Sequence, residues 1–328
     1  MTLSLATPLC DLLGVDVPIV QAPIGGATCP ELAAAVSGAG ALGTLALTWT
    51  APDVCADRIR RTRALTSRPF AVNLVLEWDH RERIEVCSLE GVPVISTFWG
   101  DPAPHVDPIH DAGALHIHSV GSVAEAVGAA EAGVDVIVAQ GVEAGGHVRG
   151  TTSTLALVPA VVDAVGRVPV VAAGGIADAR GVVAALALGA QAAWIGTRFL
   201  LAAEANVHAA YRSRLLAAQA DDAVHTEAFD GGWPRAPHRV LRNATLTAWE
   251  AAGRPAAPDR PGEGEIVATA PNGSGLRRYH MAMPQSGTQG DVEVMALYAG
   301  QGVGLAPACL PAADIVTELR DGARRLIG

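Results

Sequence analysis

The 328-residue chain contains no lysine; all 23 of its fixed basic side chains are arginine. Schiff-base catalysis needs a lysine amine, so class I aldolase and pyridoxal-phosphate chemistry, both found on α/β barrels, are excluded. The 33 acidic residues outnumber the arginines and leave a net charge of −10. That balance argues against general affinity for nucleic acid or an anionic membrane. Aromatic residues make up only 4% of a chain that is 50% hydrophobic. The interior is therefore built from Ala, Val, Leu and Gly, which suits closely packed parallel strands and helices. Cys10, Cys29, Cys55, Cys87 and Cys309 are odd in number, scattered and without a CxxC pair. They read as reduced thiols of a cytoplasmic protein, forming neither a disulfide framework nor a zinc site. No run approaches the roughly 18 apolar residues of a membrane span. The opening MTLSLATPLCD lacks a basic region and a small-residue cleavage site, so no secretory signal is expected. No GxGxxG follows the first strand, which counts against a doubly wound dinucleotide-binding sheet.

Eight short apolar, β-branched runs are present: Val17–Gln21, Ala41–Leu45, Phe70–Val75, Pro93–Thr97, Ala114–His118, Asp135–Ala139, Pro169–Ala173 and Ala192–Ile195. Their lack of alternation fits strands buried on both faces. Helical periodicity fills the gaps around 30–38, 52–65, 80–88, 122–132, 154–165 and 178–188, with Ser122 and Asp178 placed as N-caps. Eight strands, each with a crossover, predict a closed (β/α)8 TIM barrel. The pattern changes after the eighth strand. Residues 211–284 hold polar helix candidates, the Pro- and Gly-rich run GRPAAPDRPGEGE and the turn PNGSG. We expect a small, mostly helical appended domain on the substrate side, with 1–210 and 285–328 forming the barrel. In the tail, VEVMALYAG and AADIVTELRDGARRLIG both read as helical and as packing back on the barrel.

Residues at the C-terminal ends of barrel strands build the site in this architecture. After the first strand, Gln21-Ala22-Pro23-Ile24-Gly25-Gly26 suits close approach to a flat ligand and equally an ordinary strand-ending turn. After the seventh and eighth strands, Gly174, Gly175, Gly196 and the Thr197 hydroxyl suit a phosphate held by backbone N–H groups. After the sixth, Gln140 offers a donor and an acceptor. Gly141, Gly145 and Gly146 leave space for a planar ligand, and His147 is placed as a general base. Asn73 ends the third strand as a candidate ring contact. His105, His110, His116 and His118 cluster before and within the fifth strand, but no Cys or carboxylate completes a recognisable metal spacing. His118, at the strand tip, is a candidate border of the same pocket.

QAPIGG, NLVL, PVISTFWG, AQGVEAGGH, PVVAAGGIADARG, ALGAQAAWIGTRFL and YAGQGVG, in this order, resemble the nitronate monooxygenase family, formerly called 2-nitropropane dioxygenases. The likeness covers almost the whole chain and is weakest from about 220 to 280. It implies noncovalent FMN, with Asn73, Gln140 and Gly145 contacting the flavin and Ala22, Pro23 and Ile24 against its ring. It further implies Gly175, Trp194, Ile195, Gly196 and Thr197 at the phosphate, His147 as base, and Tyr298-Ala299-Gly300-Gln301-Gly302 reaching the pocket. The implied reaction is oxidation of an alkyl nitronate or nitroalkane by O2 to a carbonyl compound and nitrite. The segment between the third and fourth strands, with Glu77-Trp78-Asp79-His80, is shorter than the family pattern. The FMN-dependent enoyl-acyl-carrier-protein reductases share the EAGGH motif and the barrel. They require NAD(P)H and an acidic carrier protein, a poor electrostatic match for a lysine-free chain of net −10. A flavin-binding member with little catalysis, or one repurposed for another carbon acid, is the third reading. Neither nucleic acid nor membrane is an expected partner, and a homodimer is compatible with the sequence without being dictated by it.

Overall fold

A computed structural model describes residues 5–328. Eight parallel strands form the barrel: β1 (Ile19–Gln21), β2 (Gly43–Ala46), β3 (Phe70–Val75), β4 (Val94–Phe98), β5 (Leu115–Val120), β6 (Val136–Gln140), β8 (Val170–Ala173) and β9 (Ala192–Ile195). Between β6 and β8, the two-residue strand β7 (Gly146–His147) leaves the barrel to join a different sheet. The hydrogen-bonded order is β1-β9-β8-β6-β5-β4-β3-β2. A parallel bridge between Val20 and Leu42, with Gln21 N donating to Leu42 O at 2.9 Å, closes the ring.

Each of the eight expected strands is present, because their apolar runs are buried from both sides. Ile117, Val136, Val138 and Val171 point into the barrel, while Ile95, Ile137 and Ile195 pack under the helices. The helix α1 (Pro8–Leu13) seals the N-terminal end of the barrel: Leu9, Cys10 and Leu13 join the interior, and Thr7 and Leu9 bond to Gln191, just before β9. The outer ring comprises α2 (Pro30–Gly38), α3 (Pro52–Leu65), α4 (Arg81–Leu89), α5 (Ala103–Asp111), α6 (Val123–Ala132), α7 (Thr154–Val165) and α8 (Ala179–Ala187). Ser122 caps α6 by accepting from Glu125 N, and Asp178 caps α8 by accepting from Arg180 N and Gly181 N. One helix, α5, has no counterpart among the expected ones. It contains Pro108 and few apolar residues, and buries Val106 and Ile109.

The short helix α9 (Thr197–Leu200) follows β9, and α10 (Ala209–Ala217) leads into the appended region. That region is mixed, not mostly helical. Besides α10 and α11 (Ala244–Ala251) it carries β10 (Ala223–Thr226), β11 (His238–Leu241), β12 (Ile266–Thr269) and β13 (Gly275–Arg277). The cause is composition: Pro and Gly from 253 to 264 stop a helix, while short β-branched segments find antiparallel partners. β12 pairs with β13 and with β14 (Gln289–Gly290), whereas β11 pairs with β10 and with β7. VEVMALYAG departs from its expected helix as well. Only Val292–Val294 form a 3-10 turn; the chain then runs extended, with Leu241 N donating to Leu297 O at 2.7 Å and Tyr298 bridging Val240. The final helix, α12 (Ala312–Ile327), packs on α8 as expected. A Cβ at Gly322 would lie 2.5 Å from the Ala179 Cβ. Among the described residues no helix is long and apolar enough to cross a membrane.

Candidate active site

A cavity of about 930 Å3 opens at the C-terminal ends of the strands, within the size range of small-molecule sites. Ala22, Pro23 and Ile24 line it from the β1 loop, Asn73 from the end of β3, and Gln140, Gly145 and His147 from the β6 loop. Gly174, Gly175, Trp194, Gly196 and Thr197 line it from β8 and β9. Ile195 does not line it. Its side chain points outward into the layer under the helices, the necessary consequence of strand alternation beside Trp194, and its carbonyl accepts from Ala22 N at 2.8 Å.

Several side chains are fixed in place by their neighbours. Asn73 Nδ2 donates to Ser96 Oγ at 2.9 Å, and buried Gln21 accepts from Thr44 N at 2.9 Å, tying β1 to β2. Gln140 Nε2 donates to the His147 carbonyl at 3.2 Å, while Gln140 Oε1 is buried with no partner. Gly174 and Gly175 have φ of 114° and 70°, a region that only glycine enters without strain.

The other glycines have different work from that expected. A Cβ at Gly145 would sit 2.4 Å from Gly300 N, so its bareness admits the tail strand. A Cβ at Gly141 would collide with Thr154. Only Gly146 faces open space. Thr197 Oγ1 accepts from Gly300 N at 2.9 Å, and Tyr298, Gly300 and Gly302 line the cavity, which brings the tail motif to the site.

His147 lies on β7, opposite His238 of β11. The loop before it is clamped. Arg239, buried, donates to Val142 O at 2.7 Å and to Ala223 O at 2.7 Å, and the Glu143 carboxylate accepts from Thr154 N and Oγ1, both at 2.9 Å. The imidazole stacks on Trp233, with centroids 4.2 Å apart and planes 31° apart, and has His238 and Tyr298 at 5.5 and 5.6 Å. The residue is half-buried as a whole, yet Nε2 is hidden from solvent and unpartnered. Burial under this cover, with His238 adding to it, pushes the imidazole pKa down to about 3. His238 is neutral too. Its Nδ1 meets Ala236 O at 2.8 Å and its Nε2 accepts from Phe229 N, which fixes one tautomer. Burial holds His238 down to about 4.

His118 does not border the cavity. With His116 it occupies the outward face of β5, and both rings meet Thr97 Oγ1 at 2.7 Å. Among the described residues no cluster of three His, Cys, Asp or Glu side chains is arranged to hold a metal ion.

Sequence reasoning missed Trp49 and Trp233 and treated Trp78 only as part of a short segment. All three line the cavity, together with Met281 and Met283 of the appended region and the adjoining Gln285. A signal existed for two of them: Trp49 and Trp78 each follow a barrel strand by a few residues, at the rim where sites form. For Trp233 no local pattern pointed to the site.

The profile of the family described as nitronate monooxygenase matches residues 6–81 and 76–322. The chain belongs to the nitronate monooxygenase family. It is thereby a flavin-dependent oxidoreductase of the monooxygenase-like kind. Among curated relatives, the nitronate monooxygenase of Paraburkholderia phytofirmans is 35% identical, over 95% of this chain and 93% of its own length. The (3aS,4S,5R,7aS)-5-hydroxy-7a-methyl-1-oxo-octahydro-1H-indene-4-carboxyl-CoA dehydrogenase of Mycobacterium tuberculosis is 38% identical, over 76% of this chain and 70% of its own. Among solved structures, FabK from Thermotoga maritima superposes with a TM-score of 0.85 at 33% identity, covering 99% of this chain and 98% of that one. Nitroalkane oxidase from Streptomyces ansochromogenes gives 0.80 at 31%, covering 98% and 100%. This family member thus shares its whole barrel with enzymes of more than one name.

Proposed function

We propose that this protein binds FMN noncovalently and oxidises alkyl nitronates or nitroalkanes with O2 to a carbonyl compound and nitrite, with His147 as the base. The observation that carries this reading is that Asn73, Gln140, His147, Gly174, Gly175, Gly196 and Thr197, from the ends of different barrel strands, line one cavity of about 930 Å3. The residues fit a flavin. Asn73 and Gln140 offer amides to a polar ring edge, and Ala22, Pro23 and Ile24 offer an apolar surface. Gly174, Gly175, Gly196 and Thr197 would take the phosphate, with Trp194 and the Ile195 backbone beside them. When bound, FMN supplies the electron acceptor and the centre at which O2 reacts.

The protein's own part is proton handling and shelter. A neutral imidazole takes the α-proton of a nitroalkane, or orients the nitronate when the substrate arrives already ionised. Trp233 covers the other side of the ring and keeps water from it. Anaerobic mixing of the FMN-loaded protein with propyl 1-nitronate should bleach the flavin absorbance; an unchanged spectrum would contradict the reading.

A second reading has one observation in its favour. The cavity extends to α3, where Arg58 lines it and makes only a long 3.4 Å hydrogen bond to Thr50 Oγ1. A half-buried guanidinium at the rim suits the phosphate of a thioester such as the CoA ester in the M. tuberculosis relative's name. In that case NAD(P)H, not nitronate, bleaches the flavin, and crotonyl-CoA restores its colour.

A further inference from the structure

In a chain with 4% aromatic residues, Trp49, Trp78, Phe98, Trp233 and Tyr298 all line this cavity. Three of them converge. The centroids of Trp49 and Trp78 are 5.4 Å apart, those of Trp78 and Trp233 5.1 Å, and those of Trp49 and Trp233 6.4 Å, every pair crossing at 62° to 70°. Trp99 buttresses Trp233 from behind at 4.8 Å. Rings this close leave no room to enclose a cation between them, so the group is a wall and not a cage. The wall starts at His147, whose imidazole stacks on Trp233, and runs outward to Trp49, which is 48% exposed. Trp49 also lies over the β1 loop: a Cβ at Gly25 would be 2.9 Å from its Cζ3. The outer part of this surface, with the outermost indole half in solvent, offers a flat apolar face to a ligand in the cavity.

We propose that this tryptophan wall makes the site selective for substrates whose carbon skeleton is planar and conjugated, such as aryl-substituted carbon acids, over saturated ones of equal size. The inference deepens the proposed function by naming the shape of the skeleton, and rests on that reading only for the reacting group. Trp49 and Trp78 are then the residues that set specificity, with the buried Trp233 behind them, the ring of the substrate lying against them and its acidic carbon toward His147.

The test compares benzoate with cyclohexanecarboxylate, two unreactive probes of the same charge and ring size that differ in π character. Each is titrated into the protein, with and without FMN, and followed by quenching of tryptophan fluorescence. An aromatic contact of this kind predicts that benzoate binds about two- to tenfold more tightly. Trp49→Leu and Trp78→Leu, at exposed and half-exposed positions that tolerate substitution, should each bring the ratio toward one. Equal affinities in the unaltered protein, or a ratio that neither variant changes, would overturn the proposal. A protein that never takes up FMN would instead refute the cofactor reading, and the affinity ratio would still judge the wall.

Discussion

At the scale of single residues, the account turns on an imidazole kept neutral by its surroundings. A histidine exposed to water loses its basic form as pH falls through about 6.5. His147, pushed down to about 3, keeps it. With a neutral nitroalkane as substrate, kcat/KM should therefore stay flat from pH 8 to pH 5. A tenfold loss per pH unit below 6.5 would show that the ring is solvated in the working enzyme. Gly174 makes a second prediction at this scale. Its φ of 114° and the Thr154 Oγ1, 2.6 Å from where a Cβ would go, leave no space for a side chain. Gly174→Ala should cost about 2–3 kcal/mol of stability in urea denaturation and weaken FMN uptake in parallel. An unaffected variant would mean that this turn adapts freely.

At the scale of elements, the loop from β6 to β7 depends on a strand that lies far along the chain. β11 holds β7 by pairing, and its Arg239 donates to Val142 O and Ala223 O from a buried position. Arg239→Met would leave those carbonyls without a donor, so a loss of about 2–4 kcal/mol is expected in chemical denaturation, with weaker FMN binding. Retention of both would show that pairing alone holds the loop.

This dependence also explains what the sequence did and did not disclose. The barrel strands were readable because each is an apolar run buried on both faces, and Phe70–Val75 and Ala192–Ile195 occur as expected to the residue. Helix α5 was not, since a segment with Pro102, Pro104 and Pro108 argues against a helix in the sequence. The glycines of the β6 loop were read as ligand space, but Gly141 and Gly145 answer to Thr154 and the tail, contacts that no local pattern encodes. The same holds for Trp233 and His238, which reach His147 only through tertiary pairing. The candidate residues at strand ends needed no such information. Alternation within β9 separates Trp194 from Ile195, which face opposite sides of the strand.

For the whole molecule, four histidines held neutral by their surroundings link fold and pH. His116 and His147 are held down to about 3, and His118 and His238 to about 4, chiefly by burial. Their folded values lie below the unfolded one of about 6.5, so the unfolded chain binds more protons in between. Stability is then full above about pH 6.5 and is lost progressively as pH falls toward about 3. At pH 5 each fully buried ring contributes a loss on the order of 1–2 kcal/mol. A melting temperature clearly lower at pH 5 than at pH 7 is expected; equal values would contradict the neutral, buried assignment.

The barrel brings residues from β1, β3, β6, β8 and β9 to one cavity, and the appended region supplies Trp233 and Met281 as its cover. The central claim is that His147 acts on a proton at that cavity beside a flavin. Anaerobic stopped-flow mixing of FMN-loaded protein with nitroethane and, separately, with ethyl nitronate tests it directly, in the unaltered protein and in His147→Ala. The account predicts that the variant keeps its FMN and loses bleaching by neutral nitroethane by about 10²–10⁴-fold, while the preformed nitronate still reduces it. Equal bleaching by nitroethane in both proteins would contradict it.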